Sequence, residues 1–328
     1  MPSKATIEFL NKNLEENKKI DVKWEDVAGL DKAKSIFKEL VISPLIYPKL
    51  YQGKQAPLKT ILLYGHSGTG KSHFVKAVAT ELQKLKANFF SISSYGELPL
   101  NSNNKFFEDL INFAIKKKPA LIFVDDLTYF LNRDIFYQNL YTQFFNLFHQ
   151  IEKNEGIILI GAVNFPWELD TTFLSKFQKK LYFPPPNFEA KKAIIKINIK
   201  DTPNTLTEEQ IEDIINKTTL DGCGIACLTQ HAIFYPAKKC LESEYFKKIP
   251  GINGQKFNYV PCTENEPGAI KMKLMEIPKE EMHLLLPPKV EYQDFINAYK
   301  SVLYEPNPYY REEVKKLEEF TKKFGEEG

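Results

Sequence analysis

Eight residues carry the strongest chemical signal in this chain. They are Gly65, His66, Ser67, Gly68, Thr69, Gly70, Lys71 and Ser72. They fit the pattern G-x-x-x-x-G-K-[ST], which turns backbone N–H groups inward around phosphate oxygens. An apolar run, Thr60–Tyr64, precedes them, and a segment with helical spacing follows from Ser72. Strand, loop and helix in that order place phosphate at a helix N-terminus. Lys71 then sets a cation on the β- and γ-phosphates, and the Ser72 hydroxyl can ligate Mg²⁺. A second signal follows at residues 121–126. Leu121-Ile122-Phe123-Val124 ends in two carboxylates, Asp125 and Asp126. Asp125 is placed to hold the Mg²⁺ through water, and Asp126 to act as a general base or to orient water. Asn164 closes the next apolar run and can bring an amide beside the γ-phosphate.

The elements that must hold these groups are legible as alternating blocks. Buried strands are expected at Thr60–Tyr64, Phe89–Ile92, Ala120–Val124, 156–161 and 180–183. Helices are expected at 72–85 and 106–117. Apolar runs that alternate with helices imply a parallel sheet covered on both faces. The first 20 residues read as a polar helix or tail, and Asp31 as the N-cap of a helix running to Leu40. At Pro184-Pro185-Pro186 the pattern breaks. Residues 187–240 read as helical, with Thr207 capping Glu208–Lys217. Proline and glycine recur over 245–290, where Ala269–Leu274 alternates like an exposed strand. Residues 291–328 return to helix, with Phe295, Ile296, Val314, Leu317 and Phe320 as the apolar stripe.

Composition narrows the function class. The 328 residues are 43% hydrophobic and 26% charged, with a net charge of +2. That is globular composition, and it offers no global field for nucleic acid. No apolar stretch reaches the ~20 residues a membrane span needs. The four cysteines match no zinc spacing and are expected to be reduced thiols. Only Arg133 and Arg311 carry a guanidinium; the other 42 basic residues are Lys.

Several motifs together make a specific resemblance. Val22–Leu30 (VKWEDVAGL), GHSGTGKS, LIFVDD, Gly161-Ala162-Val163-Asn164 and Pro166-Trp167-Glu168-Leu169-Asp170 occur in that order. The chain resembles AAA ATPases of the meiotic clade, which includes katanin, spastin and the vacuolar protein sorting ATPases. Pro261-Cys262, Pro267–Ile270 and Phe320–Gly328 resemble the β-domain and terminal helix of the last group, whose members disassemble ESCRT-III polymers. The resemblance spans roughly residues 20–328. It implies an α/β P-loop AAA subdomain (21–186) behind an N-terminal polar segment (1–20). It further implies a helical lid (187–244), a small β-domain inserted in the lid (245–290), and C-terminal helices completing the lid (291–328). ATP and Mg²⁺ are the implied cofactors. It adds His73, Asp26, Ala28 and Gly29 to the nucleotide contacts, and makes Lys71, Asp126 and Asn164 catalytic and Ser72 and Asp125 metal-binding. The implied partners are the same or paralogous AAA subunits in a ring and ESCRT-III-like client polymers, with no nucleic acid. The implied location is the cytoplasm, with recruitment to endosomal membranes through partners alone.

The departures from that pattern are as informative. The second acidic residue of the LIFVDD strand is Glu in the family. Asp126 is one methylene shorter, so its carboxylate falls roughly 1–1.5 Å short unless the backbone shifts, and misplacement of that size can cost ~10²-fold in rate. The family's arginine fingers correspond to Ser175 and Lys176; Lys176 keeps the charge without the guanidinium fork. The first pore loop, Glu97–Asn104, has no aromatic residue, and the second, Thr128–Gln138, is shortened around Arg133. The lid motif G-S-D is replaced by Gly222-Cys223-Gly224. Twenty N-terminal residues are too few for the family's three-helix microtubule-interacting domain. Two readings follow: a slow ATP-driven remodelling subunit, or a non-threading pseudo-ATPase scaffold in a hetero-oligomeric ring. Microtubule severing is a third, weakened by the β-domain signature and the lack of a basic tail.

Overall fold

The computed structural model describes residues 4–51, 57–93, 105–131, 138–252, 254–301 and 308–328. The chain divides into two units, Met1–Pro186 with Asn307–Gly328, and Asn187–Pro306. In chain order the first unit begins with α1 (Lys4–Asn17), α2 (Asp31–Phe37) and α3 (Ser43–Ile46). The alternation then runs β1 (Thr60–Tyr64), α4 (Lys71–Lys84), β2 (Asn88–Ser93), α5 (Phe106–Lys116) and β3 (Ala120–Asp125). It continues through α6 (Leu127–Leu131), α7 (Gln138–Lys153), β4 (Ile157–Val163), α8 (Thr171–Ser175) and β5 (Lys179–Tyr182). All the expected strands of the sheet are present, and they pair in parallel.

Both faces of this sheet are dry, which is why its strands read as unbroken apolar runs rather than alternating ones. Successive residues of one strand serve opposite cores. Ile61 and Leu63 join Phe74, Val78 and Phe123 on one face. Leu62 and Tyr64 join Ile122, Phe144 and Phe173 on the other.

The second unit holds α9 (Phe188–Ile199), α10 (Glu208–Lys217) and α11 (Gly222–Glu242), then β6 (Tyr245–Pro250), β7 (Phe257–Pro261), β8 (Ile270–Lys271) and α12 (Tyr292–Ser301). Its helix starts follow capping chemistry. Thr207 Oγ1 accepts from the Gln210 N–H, and Gln210 returns the bond to the Thr207 N–H at 3.1 Å. Asn187 and Asp221 cap α9 and α11 in the same manner. The three strands form an antiparallel sheet, β7-β6-β8, over Phe246, Tyr259, Ile277 and Leu284. The alternating run at 269–274 yields only two paired residues. At Lys273 the chain turns into a 3₁₀ segment, fixed by the Glu276 carboxylate accepting the Lys273 N–H at 2.8 Å.

The chain then returns to the first unit as α13 (Tyr310–Phe324) and β9 (Glu326–Glu327). This corrects the grouping of 291–328 as lid helices: α12 lies in the second unit, α13 in the first. Leu317 of α13 is buried in the sheet's core, and Tyr64 donates to Thr321 Oγ1 at 2.9 Å. β9 adds a sixth strand beside β5, giving the order β2-β3-β4-β1-β5-β9.

Of two smaller expectations, one is met and one changes. The N-terminal segment is a helix, and it joins the first unit's core. Leu10 and Leu14 of α1 are buried, and Asn13 bonds both backbone groups of Ser91 on the edge strand β2, at 2.8 and 3.1 Å. Asp31 is the first helical residue of α2, not its cap. Gly29 and Leu30 take successive left-handed conformations, φ 62° and 57°, which reverse the chain before the helix begins.

Candidate functional site

Strand register brings the chemistry together. Tyr64 pairs beside Val163, and Val124 beside Gly161. The carboxyl ends of β1, β3 and β4 therefore share one edge, the edge where parallel α/β sheets hold ligands. Gly65–Gly70 follows β1, Asp125 ends β3, and Asn164 follows β4.

The loop after β1 needs its glycines. Gly65 has φ 153°, and a Cβ there would sit 2.3 Å from the Phe183 carbonyl oxygen. Gly68 and Gly70 have φ 78° and 92°, a region that side chains rarely enter. Thr69 Oγ1 donates to the His66 carbonyl at 2.9 Å and closes the loop. α4 begins at Lys71 without a side-chain cap, so its first N–H groups face the loop.

Lys71 is 7% exposed. Its ammonium donates to the Gly65 carbonyl at 2.7 Å, the His66 carbonyl at 3.1 Å and Asn164 Oδ1 at 3.0 Å. Burial lowers its pKa to about 8, against the opposing pull of Asp125 and Asp126. Neutral oxygens thus repay only part of the ammonium's desolvation, and a bound phosphate would supply the missing charge. Ser72 Oγ donates to Asp125 Oδ2 at 2.6 Å. A hydroxyl and a carboxylate held this close are hard oxygen donors of the kind Mg²⁺ takes in P-loop sites. The residues present therefore fit both a triphosphate and its cation.

Asp126 stands in the left-handed region, φ 58°, and its Oδ1 accepts from Thr128 Oγ1 at 2.6 Å. The local backbone does depart from the ordinary strand path at the position where the sequence reading required a shift. Glu168, in the 3₁₀ turn after Asn164, is a neighbour that the sequence did not flag. Its carboxyl is pushed up, first by burial and then by the charge of Asp126. The VKWEDVAGL segment also arrives at α4. His73 Nε2 lies 3.1 Å from the Asp26 carbonyl, and Trp24 packs edge-on against Phe74. Ala28 and Gly29 follow in the same half-buried turn.

Residues 61–185 match the family described as "ATPase family associated with various cellular activities (AAA)", and residues 259–325 the "Vps4 C terminal oligomerisation domain". The chain is 34% identical over 323 residues to vacuolar protein sorting-associated protein 4B of Mus musculus, covering 94% of this chain and 71% of that protein. It belongs to the Vps4 family of AAA ATPases. Vacuolar protein sorting-associated protein 4 of Dictyostelium discoideum is 31% identical over 324 residues, with the same coverage. The FIGL-1 AAA domain solved in complex with ADP shares the fold. Its TM-score is 0.72 at 24% identity, with 99% of this chain and 98% of that chain covered.

In this Vps4-family chain the finger segment is built differently from the pocket. Asp170 caps α8 and accepts the Phe173 N–H at 2.8 Å. Ser175 Oγ donates to the Thr172 carbonyl within the same turn. The Lys176 ammonium lies 5.8 Å above the Phe145 ring, a cation–π contact within its own subunit. Lys179 pairs with Glu326, and Lys180 donates to the Phe177 carbonyl at 2.9 Å. Arg311 is exposed on α13. Arg133 and the first pore-loop segment lie outside the described residues, as does most of the second. No described helix is long and apolar enough to cross a membrane.

Proposed function

We propose that this chain binds ATP with Mg²⁺ at the Gly65–Ser72 loop and hydrolyses it slowly, driving the remodelling of protein assemblies in vacuolar and endosomal sorting. The observation that carries the reading is the convergence of Lys71, Ser72, Asp125 and Asn164 at one sheet edge, each already bonded to another member or to the loop. Gly65–Gly70, with the first turn of α4, cradles the phosphates. His73, Asp26, Ala28 and Gly29 form its adenosine side. Mg²⁺, when bound at Ser72 and Asp125, neutralises charge on the β- and γ-phosphate oxygens. Lys71 holds the γ-phosphate, Asn164 orients Lys71 and the attacking water, and Asp126 takes the proton from that water.

Attenuation rests on the finger segment. A guanidinium supplied from a neighbouring subunit is worth ~10³–10⁵ in rate, and Lys176 is engaged with Phe145 instead. The same contact favours a second reading, a non-threading scaffold whose paralogous ring partners supply the fingers. Assembly into a ring is supported by the matched oligomerisation domain. Within the second unit we assign 187–244 to a helical lid and 245–290 to a β-domain inserted in it. ESCRT-III-like polymers are the proposed clients and the cytoplasm the proposed location, with endosomal membranes reached through partners. Steady-state ATP turnover of the purified chain, with Lys71→Ala as the blank, tests the reading. Turnover above the blank supports the slow enzyme; turnover equal to it, with ATP still bound, supports the scaffold.

A further inference from the structure

The phosphate-binding loop is tied to the far end of the chain. His66 Nε2 lies 3.1 Å from Glu313 Oε2, across 247 positions of sequence. The imidazole is 12% exposed and the carboxylate 24%, so the contact is largely shielded from water. The ring of Tyr310 meets the imidazole edge-on at 4.6 Å, and Phe165, next to Asn164, meets it at 6.2 Å. On its other side His66 Nδ1 lies 3.0 Å from the Ser67 carbonyl. The imidazole is thus held between two oxygens, one near each nitrogen, and by two aromatic rings. Its own carbonyl, in turn, accepts from both Lys71 and Thr69. A shift of the His66 backbone, to which the held ring is joined, moves an oxygen that positions the Lys71 ammonium.

We propose that Glu313 is a positioning residue for the nucleotide site. It holds His66, His66 holds the loop, and this one contact of α13 is thereby coupled to nucleotide affinity. The proposal rests on the Gly65–Ser72 loop being that site. Helix α13 falls within residues 259–325, which match the oligomerisation domain. Coupling of this kind is reciprocal: whatever secures the Glu313–His66 contact tightens nucleotide binding, and nucleotide strengthens that contact by the same factor.

The test is titration calorimetry of Mg²⁺·ATP and of Mg²⁺·ADP on the full chain, with thermal melting alongside. Glu313→Ala should weaken both nucleotides about 5- to 20-fold, the scale of one lost hydrogen bond. Glu313→Gln, whose amide can still pair with Nε2, should restore most of that affinity. His66→Ala should weaken binding to a similar extent, and the double variant should add little to either single one. Thr321→Ala removes the α13 contact to Tyr64 without touching the loop. It should lower the melting temperature and leave affinity unchanged.

Four results would overturn the proposal. These are wild-type affinity in a folded Glu313→Ala chain, no rescue by Gln, additive losses in the double variant, or an equal affinity loss in Thr321→Ala. Lys71→Ala separates the two claims. If it leaves binding intact, the site assignment itself has failed; if it removes binding while Glu313→Ala does not, only the positioning role has.

Discussion

The proposed nucleotide pocket and the segment that corresponds to the family's fingers lie in the same unit, yet they are built to opposite standards. In the pocket every named group bonds to another named group: Lys71 to Asn164 and the loop carbonyls, Ser72 to Asp125, Asp126 to Thr128. In the segment matching the fingers the side chains turn back on their own subunit: Ser175 to Thr172, Lys176 to Phe145, Lys180 to Phe177. In the proposed function the triphosphate is held by groups of one chain. A finger acts only on a neighbour's phosphate, so its side chain must reach outward. The difference separates binding, which one subunit completes, from acceleration, which requires assembly.

The largest expected effect breaks the pocket side of the comparison. Lys71→Ala should lower ATP affinity about 10²-fold, the loss of charge-assisted bonds to phosphate. Calorimetry reads it directly, and an unchanged affinity would remove the pocket from the argument. Next is Asp126→Asn, which keeps the size and tolerates the left-handed backbone but cannot accept a proton. Turnover should fall roughly 10²-fold with affinity retained, within the usual range for a general base. Asp126→Glu should give no gain and a few-fold loss at most, because a longer side chain is less at ease at φ 58°. A large gain would show that reach, not backbone, limits the step.

The finger side is sharpened by Ser175→Arg with Lys176→Arg. Turnover should rise at least about tenfold and become steeply dependent on protein concentration, a small part of what a finger can supply. Specific activity against concentration measures both. A wild-type chain that already shows that steep rise would mean that Lys176, released from Phe145, does the work.

The smallest effect is a pH signature of Lys71. Its pKa is about 8 in the folded chain and 10.5 as an ordinary lysine. Phosphate raises it again, so binding takes up a proton above pH 8. Affinity should fall by up to about tenfold per pH unit from there. Over the same window, about 8 to 10.5, the unfolded chain holds the proton more tightly than the folded one, so this group's contribution to stability rises with pH. Affinity and melting temperature should therefore move in opposite directions across it. Calorimetry in buffers of different ionisation enthalpy counts the proton.

What the sequence made legible was local. The parallel strands are continuous apolar runs because both their faces are buried, and the phosphate loop is eight consecutive residues. Strand ends therefore located Asp125 and Asn164 without any structure. What it hid was either distant or lay in the backbone. Glu313 is one of several glutamates on a charged helix, and nothing in its neighbours points 247 positions back to His66. β9 is two glutamates, unreadable as a strand because it is two residues long and carries no apolar or β-branched side chain. The left-handed turn at Asp126 leaves no trace in residue type, since Asp is common in ordinary strands' ends as well. α13 read as a lid helix because its apolar stripe shares a period with α12, and periodicity does not say which core a helix joins.

The Asn13 side chain has a consequence for how this protein behaves in a test tube. It satisfies the N–H and the carbonyl of Ser91 on the outer side of β2, as a neighbouring strand would, and Asn17 adds a bond to the Phe89 carbonyl at 3.2 Å. The helix that carries them acts as a cover over a sheet margin that would otherwise be open to any extended chain. A truncated version beginning near residue 20, the natural cut for anyone treating the first segment as a dispensable tail, would leave that margin bare. Such a fragment would keep its phosphate loop and lose its solubility, and its precipitation would be mistaken for a defect of the nucleotide site.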